Sequence, residues 1–361
     1  MYVAPVVPQP QEILATSPVL AVEDEVEEVD SSYWGYLVRQ TKKALTNIGH
    51  GARYLERILT YLVVGAPLAG LMPANYVLGS TFPELENATW GYLVWAIQRL
   101  GPCFIKMAQW ASTRPDLFPP KLIEKIEKFQ DDVQISYPMS VIENTLRSAF
   151  GDEWKDRLVL SPKPLGTGSV AQVFQGLLKS AGASSEGVQV AIKMIHPHVE
   201  QLVRTDMELL SMLADWVDKM PSMEIFALGD TVKDFAECMN QQLDLRLEAS
   251  HLVKFAKKFA NEKWALFPKP VEGFVTRNVM VETLMEGTPI SHFMNLPSEV
   301  GSATHKLKMK LSDLGTRLIL KMIFFDNYIH GDLHPGTFSA AEGRWPHRVS
   351  CPTAAHCDSW C

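Results

Sequence analysis

At 361 residues, with 21% charged side chains and a formal net charge of −7 at pH 7, the chain can hold two ordinary domains or one large two-lobed one. That modest charge excludes a general nucleic-acid binder. Five cysteines (Cys103, Cys238, Cys351, Cys357 and Cys361) suggest no disulfide framework, which predicts a reducing compartment.

The start is Pro-rich, and EDEVEEVD, residues 23–30, has six acids and no base. Residues 1–31 therefore read as a disordered acidic arm. The first arginine is Arg39, so neither a mitochondrial presequence nor a secretory signal is visible. Residues 32–89 form a second segment, helical from 33 to 57. Between Arg57 and Glu84 no side chain is charged. That stretch, 58–83, is long enough to cross a membrane, but Pro67 and Pro73 interrupt it. The alternative is a kinked helix pair, buried in a soluble fold or lying on a membrane surface.

Residues 90–134 read as helical, with apolar side chains at three- and four-residue steps. Around Pro162 the character changes. PLGTGSVAQVFQGLL and VQVAIKMI are short β-branched runs joined by KSAGASSEG, which predicts a hairpin. Helical patterns follow at RTDMELLSMLADWV and, as one run, at TVKDFAECMNQQLDLRLEASHLVKFAKKF. A strand is expected at NVMVETL and a last helix at LKMKLSDLGTRLILKMIFF.

Gly166, Thr167, Gly168, Ser169 and Val173 form a glycine-rich turn between strands. Such a turn lets backbone N–H groups approach phosphate oxygens, although alone it is equally a tight hairpin. An ordinary kinase has Gly where Ala171 stands. The next strand carries Val190-Ala191-Ile192-Lys193, the pattern whose lysine holds nucleotide phosphates and pairs with an acid on a later helix. Asp244 and Glu248, four residues apart on the one predicted helix, share a face, and Glu248 is the expected partner of Lys193. His330-Gly331-Asp332 then follows in kinase order, with Asp332 placed as catalytic base. Thr337 stands where such a loop has its magnesium-binding Asn.

Two further stretches, GPCFIKMAQWASTRPDLFP (101–119) and HGDLHPG (330–336), together with QLDLRLEA and VETLMEG, closely resemble the UbiB-like atypical kinases, the aarF-domain family. The resemblance runs from about residue 90 to 336. It implies an α+β, protein-kinase-like fold with a helical N-terminal extension over the nucleotide cleft. It divides the chain into an extension at 90–160, a β-containing small lobe at 161–290 and the start of a helical lobe at 291–340. It also implies binding of ATP with Mg2+, and hydrolysis or small-molecule phosphorylation in place of protein phosphorylation. Ubiquinone biosynthesis proteins and cardiolipin-like membrane lipids are the implied partners, and the mitochondrial inner membrane the implied location. Lys106 and Gln109 match the family's Lys-x-Gly-Gln motif, with Ala108 for its Gly. Gln242 and Asp244 match its Glu-x-Asp, with a neutral Gln for the Glu, which predicts a weaker partner for Lys106.

After Gly336 no Asp-Phe-Gly motif follows, so neither expected metal ligand is present. Residues 341–361 change composition abruptly. Their His and Cys spacings fit no zinc pattern, and the expectation is an unrelated extension on a truncated copy with little turnover. The rival reading is a non-catalytic pseudokinase scaffold that binds nucleotide or lipid at a membrane.

Overall fold

In a computed structural model the described residues are 33–130, 137–179, 187–221, 227–285, 287–330, 339–341 and 349–350. By its contacts the chain divides into two units, residues 1–53 and 54–361. The described part of the first is helical, and every contact below lies within the second. The acidic arm falls outside the described residues, except that Tyr33 already begins a helix.

Helix α1 spans Tyr33–Leu78 and continues through Pro67 and Pro73, which we expected to break it. A proline inside a helix costs about 3 kcal/mol or more. Contacts on either side of Pro67 work against that cost. Tyr61, Val64 and Leu68 pack with Tyr92, Ala96 and Leu100 of α2 (Pro83–Leu100), and the Tyr92 hydroxyl donates to the Val64 carbonyl at 3.0 Å. Helix α2 ends at Gly101, whose φ of +93° suits glycine, and α3 (Pro102–Ser112) begins on the next residue. Then come α4 (Pro120–Ile126), α5 (Met139–Phe150) and the single turn α6 (Trp154–Arg157).

The first strand, β1, runs Leu158–Thr167, so the sheet starts inside the segment expected to be helical. It tolerates Pro162 and Pro164 because it is an edge strand whose register shifts around Pro164. The predicted hairpin forms between β2 (Ala171–Lys179) and β3 (Gly187–Ile195), antiparallel, with Val173 opposite Lys193. Helices α7 (Val199–Asp218), α8 (Leu228–Gln242) and α9 (Leu245–Lys258) follow. The single helix expected over the last two is broken at Leu243–Asp244, where Asp244 caps α9 by accepting from the Arg246 N–H.

Next come β4 (Ala265–Leu266), β5 (Pro270–Val275), β6 (Val279–Thr283), β7 (Gly287–Pro289), α10 (Ile290–Met294) and α11 (Ala303–Leu320). A short π-helical stretch, Lys321–Phe325, continues α11. The main sheet has the order β1-β2-β3-β6-β5. A smaller sheet joins β4, β7, β8 (Ser339–Ala341) and β9 (Val349–Ser350), so residues 349–350, from the stretch expected to be unrelated, are paired with Ala265–Leu266 and Ser339–Ala340. Cys103 is a buried free thiol. Cys238 is disulfide-bonded, which the cysteine pattern did not predict.

Period-two alternation gives the main sheet two apolar faces. On the back face Phe174, Val190, Ile192, Met194, Val279 and Val281 pack with Ile142 and Leu146 of α5 and Trp154 of α6. On the front, Ile195 and Met280 share a core with Cys103 of α3, Val203 and Met207 of α7, and Leu245, Ala249 and Leu252 of α9.

Candidate nucleotide site

The front face carries the residues of interest. On β3, Lys193 is 2% exposed yet charged, and it requires a partner. Its ammonium lies 2.8 and 2.9 Å from the two carboxylate oxygens of Glu248, in the first turns of α9. The expected pair therefore forms. The broken helix is what aims it, because Asp244 starts α9 afresh one turn before Glu248.

Above the pair, Thr167 of β1 pairs with Gln172 of β2. The Gly168 N–H donates to the Ala171 carbonyl at 2.8 Å, closing a tight turn with Ser169 and Val170 at its tip. Both tip residues are fully buried. Val170 sits in the front core with Cys103, Val199 and Val203, so α3 and α7 hold the turn down. His196 adds a second fastening: its backbone N–H donates to the Val170 carbonyl at 2.8 Å, and its ring Nε2 lies 2.9 Å from the Gly168 carbonyl oxygen. Tyr137 stacks obliquely on that ring, 5.3 Å between centroids, and its burial raises the phenol's pKa. A lone histidine one residue past a strand gives no sequence signal, which is why His196 was missed.

Beside Lys193, Ala171, Val173 and Ala191 form a small-residue cluster against Leu284 at the end of β6. A face of small aliphatic side chains suits a flat heteroaromatic ring. Of these, Val173 was expected at a nucleotide site, whereas Ala171 and Leu284 were not. Glu282, fully buried on the same face opposite Ala191, also went unassigned.

The remaining expected residues behave differently. Lys106 and Gln109 lie on α3, the first half-buried and the second buried. The Gln109 amide donates to the Phe129 carbonyl at 2.7 Å and so ties α3 to the turn after α4. Asp244 does not share the inward face with Glu248. Its carboxylate is engaged by the Arg246 guanidinium at 2.7–3.2 Å. Burial opposes the Asp244 charge, but the Arg246 contacts outweigh it and lower the pKa. Asp332 and Thr337 lie outside the described residues. Beside them His330 is buried, 6.3 Å from the Phe255 ring.

A profile of the ABC1 atypical kinase-like domain matches residues 128–348. An ABC1 family protein of Schizosaccharomyces pombe, named as mitochondrial, is 32% identical over 306 residues, covering 77% of this chain and 43% of its own length. A probable serine/threonine-protein kinase of Dictyostelium discoideum is 32% identical over 269 residues, or 74% of this chain and 37% of that protein. The probable protein kinase UbiB of Cronobacter sakazakii is 30% identical over 287 residues, 78% of this chain and 50% of its own. The chain thus spans half or less of the length of these relatives. Among solved structures, a Mycobacterium tuberculosis protein determined with erythromycin superposes with a TM-score of 0.51 at 20% identity, over 78% of this chain and 67% of that one.

Proposed function

Since the chain belongs to the ABC1 atypical kinase-like family, with UbiB-like kinases among its relatives and a kinase-like α+β fold, we propose that it binds ATP on the front face of its main sheet. The observation that carries this reading is the buried Lys193–Glu248 pair beneath a glycine-rich turn. An ammonium held by both oxygens of one carboxylate is fixed in direction, and it can redirect one N–H toward a phosphate without losing its partner. The small-residue face of Ala171, Val173, Ala191 and Leu284 would meet the adenine ring, and Gly166 to Ser169 the phosphates. Asp332 would orient or deprotonate the attacking group. Mg2+ bound with the nucleotide would neutralise phosphate charge. Thr337, in the place of the expected Asn ligand, lies outside the described residues.

In this reading the chain is a UbiB-like atypical kinase or ATPase of mitochondria, serving ubiquinone biosynthesis and lipid metabolism. With Thr337 in the Asn position, turnover by this chain is expected to be low. Binding is tested by thermal stabilisation of the full chain with Mg-ATP, expected to vanish in Lys193→Ala and to weaken in Lys193→Arg. Stabilisation unchanged in both variants would refute the site. Magnesium-dependent ATP hydrolysis at ordinary kinase rates, lost in Asp332→Asn, would overturn the expectation of low turnover.

A second reading, a scaffold at a membrane, is favoured by α1. Its residues 51–78 are long and apolar enough to cross a bilayer. Leu59, Leu62, Val63, Tyr76 and Val77 are exposed, and no charge lies between Ile58 and Leu78. The opposite side is committed: Arg57 is buried against Asp206 of α7, and Val64 packs on α2. A helix seated in this way suits an orientation along a membrane surface better than one through it. Binding to cardiolipin-containing vesicles with no response to ATP would favour the scaffold over the enzyme.

A further inference from the structure

We propose that the back of the small lobe holds a second ligand site, for a small phosphate-bearing anion, in the cavity between α5 and the β5–β6 turn. The cavity measures about 430 Å³, within the range of small-molecule sites. It is lined by Asn144, Thr145 and Ser148 of α5, by Pro197 after β3, and by Thr276, Arg277 and Asn278 of the turn. Among the described residues none of its lining is acidic.

The charge balance favours an anion. Arg277 and Arg204 both donate to one oxygen of Glu200, at 3.0 and 3.4 Å. Arg277 also feels the charge of Asp244, which Arg246 pairs, so three guanidiniums meet two carboxylates and one positive charge is left over at the rim. A guanidinium's planar fork suits phosphate oxygens, and Arg277 spends only one Nη on Glu200. Around it, the amides of Asn144 and Asn278 and the Ser148 hydroxyl can donate. The Asn144 carbonyl oxygen already accepts from Arg147 at 3.1 Å, so its N–H groups are the end left to a ligand.

The wall of this cavity is continuous with the front-face site. The Arg277 carbonyl accepts from the Leu245 N–H at 2.9 Å, at the first residue of the helix that carries Glu248. The Asn278 carbonyl accepts from the Ile195 N–H at 2.9 Å, two residues beyond Lys193. Pro197 follows His196, which fastens the glycine-rich turn. An occupied cavity would therefore stiffen both elements of the nucleotide site. This consequence, unlike the site itself, rests on the ATP-binding reading.

The test uses the full chain with inorganic phosphate and glycerol 3-phosphate, against chloride at equal ionic strength, read by thermal stabilisation. Wild type and Lys193→Ala are expected to respond alike. Arg277→Gln, and Ser148→Tyr, which fills the cavity and leaves the Arg277–Glu200 pair in place, are expected to weaken apparent affinity about tenfold. Both positions are exposed, so neither change threatens the fold. A phosphate response that disappears in Lys193→Ala but persists in Arg277→Gln places the anion in the front site and refutes the proposal. No response beyond chloride refutes a soluble ligand. Vesicles containing phosphatidic acid then decide: binding that needs both Arg277 and the open cavity assigns the phosphate to a lipid headgroup, and its absence ends the proposal.

Discussion

Two buried ion pairs hold this molecule, and they are built on different terms. Lys193 and Glu248 meet strand to helix, 55 residues apart, with the ammonium on both carboxylate oxygens. Arg57 and Asp206, 149 residues apart, form a cluster with further partners. The Arg57 Nε and Nη2 reach both Asp206 oxygens, Nη2 also donates to the Leu100 carbonyl, and the Tyr61 hydroxyl donates to Asp206 at 2.7 Å. A buried pair tied down by several further hydrogen bonds fixes architecture, because moving either partner breaks all of them at once. A pair centred on a compact, rotatable ammonium is easier to rearrange around a third group. The first kind seats α1 on the body, and the second suits a site that must accept and release a ligand.

The sharpest way to break the contrast is Asp206→Asn. It strands the Arg57 guanidinium in a site where Asp206 is fully buried, and urea unfolding should lose about 3–5 kcal/mol. A double-mutant cycle on Lys193→Met and Glu248→Leu comes next. A coupling of about 1.5–3 kcal/mol is expected without nucleotide, and a larger one with it if the pair serves the ligand. The smallest effect belongs to Asp244. Replacement by Ala removes the α9 cap and should cost about 1 kcal/mol, whereas Asn keeps the cap and loses only the charge. The folded pKa of Asp244 lies below its unfolded value. The charge therefore contributes fully above the unfolded value, near 3.9, and that contribution fades as pH falls through the folded one. Stability of Asp244→Asn should thus converge with wild type in acid and fall below it toward neutrality.

The Lys193–Glu248 pair was legible because kinase-like order fixed its partners in advance: a glycine-rich turn, an alternating strand with a lysine, then an acid on a helix. Arg57 and Asp206 lie outside that order, and neither has a neighbour in sequence that hints at the other. The hairpin of β2 and β3 was legible from β-branched runs around a Gly/Ser linker. The break between α8 and α9 was not, because no Gly or Pro marks it; its one signal was an Asp three residues before an apolar position of the next turn, a capping pattern overlooked within a long helical run. Pro67 and Pro73 misled in the opposite sense, since tertiary packing on α2 outweighed local preference. Pro162 and Pro164 concealed an edge strand that begins at Leu158. Strands of two residues, such as β4 and β9, carry no period to read.

The buried tip of the glycine-rich turn has a kinetic consequence. In a flap whose tip meets water, entry and exit are limited by a loop's own fast motion. Here Val170 is wedged among α3 and α7 and His196 grips the turn from behind. If nucleotide binds beneath the turn as proposed, its residence there would be set by how readily α3 and α7 part from this core.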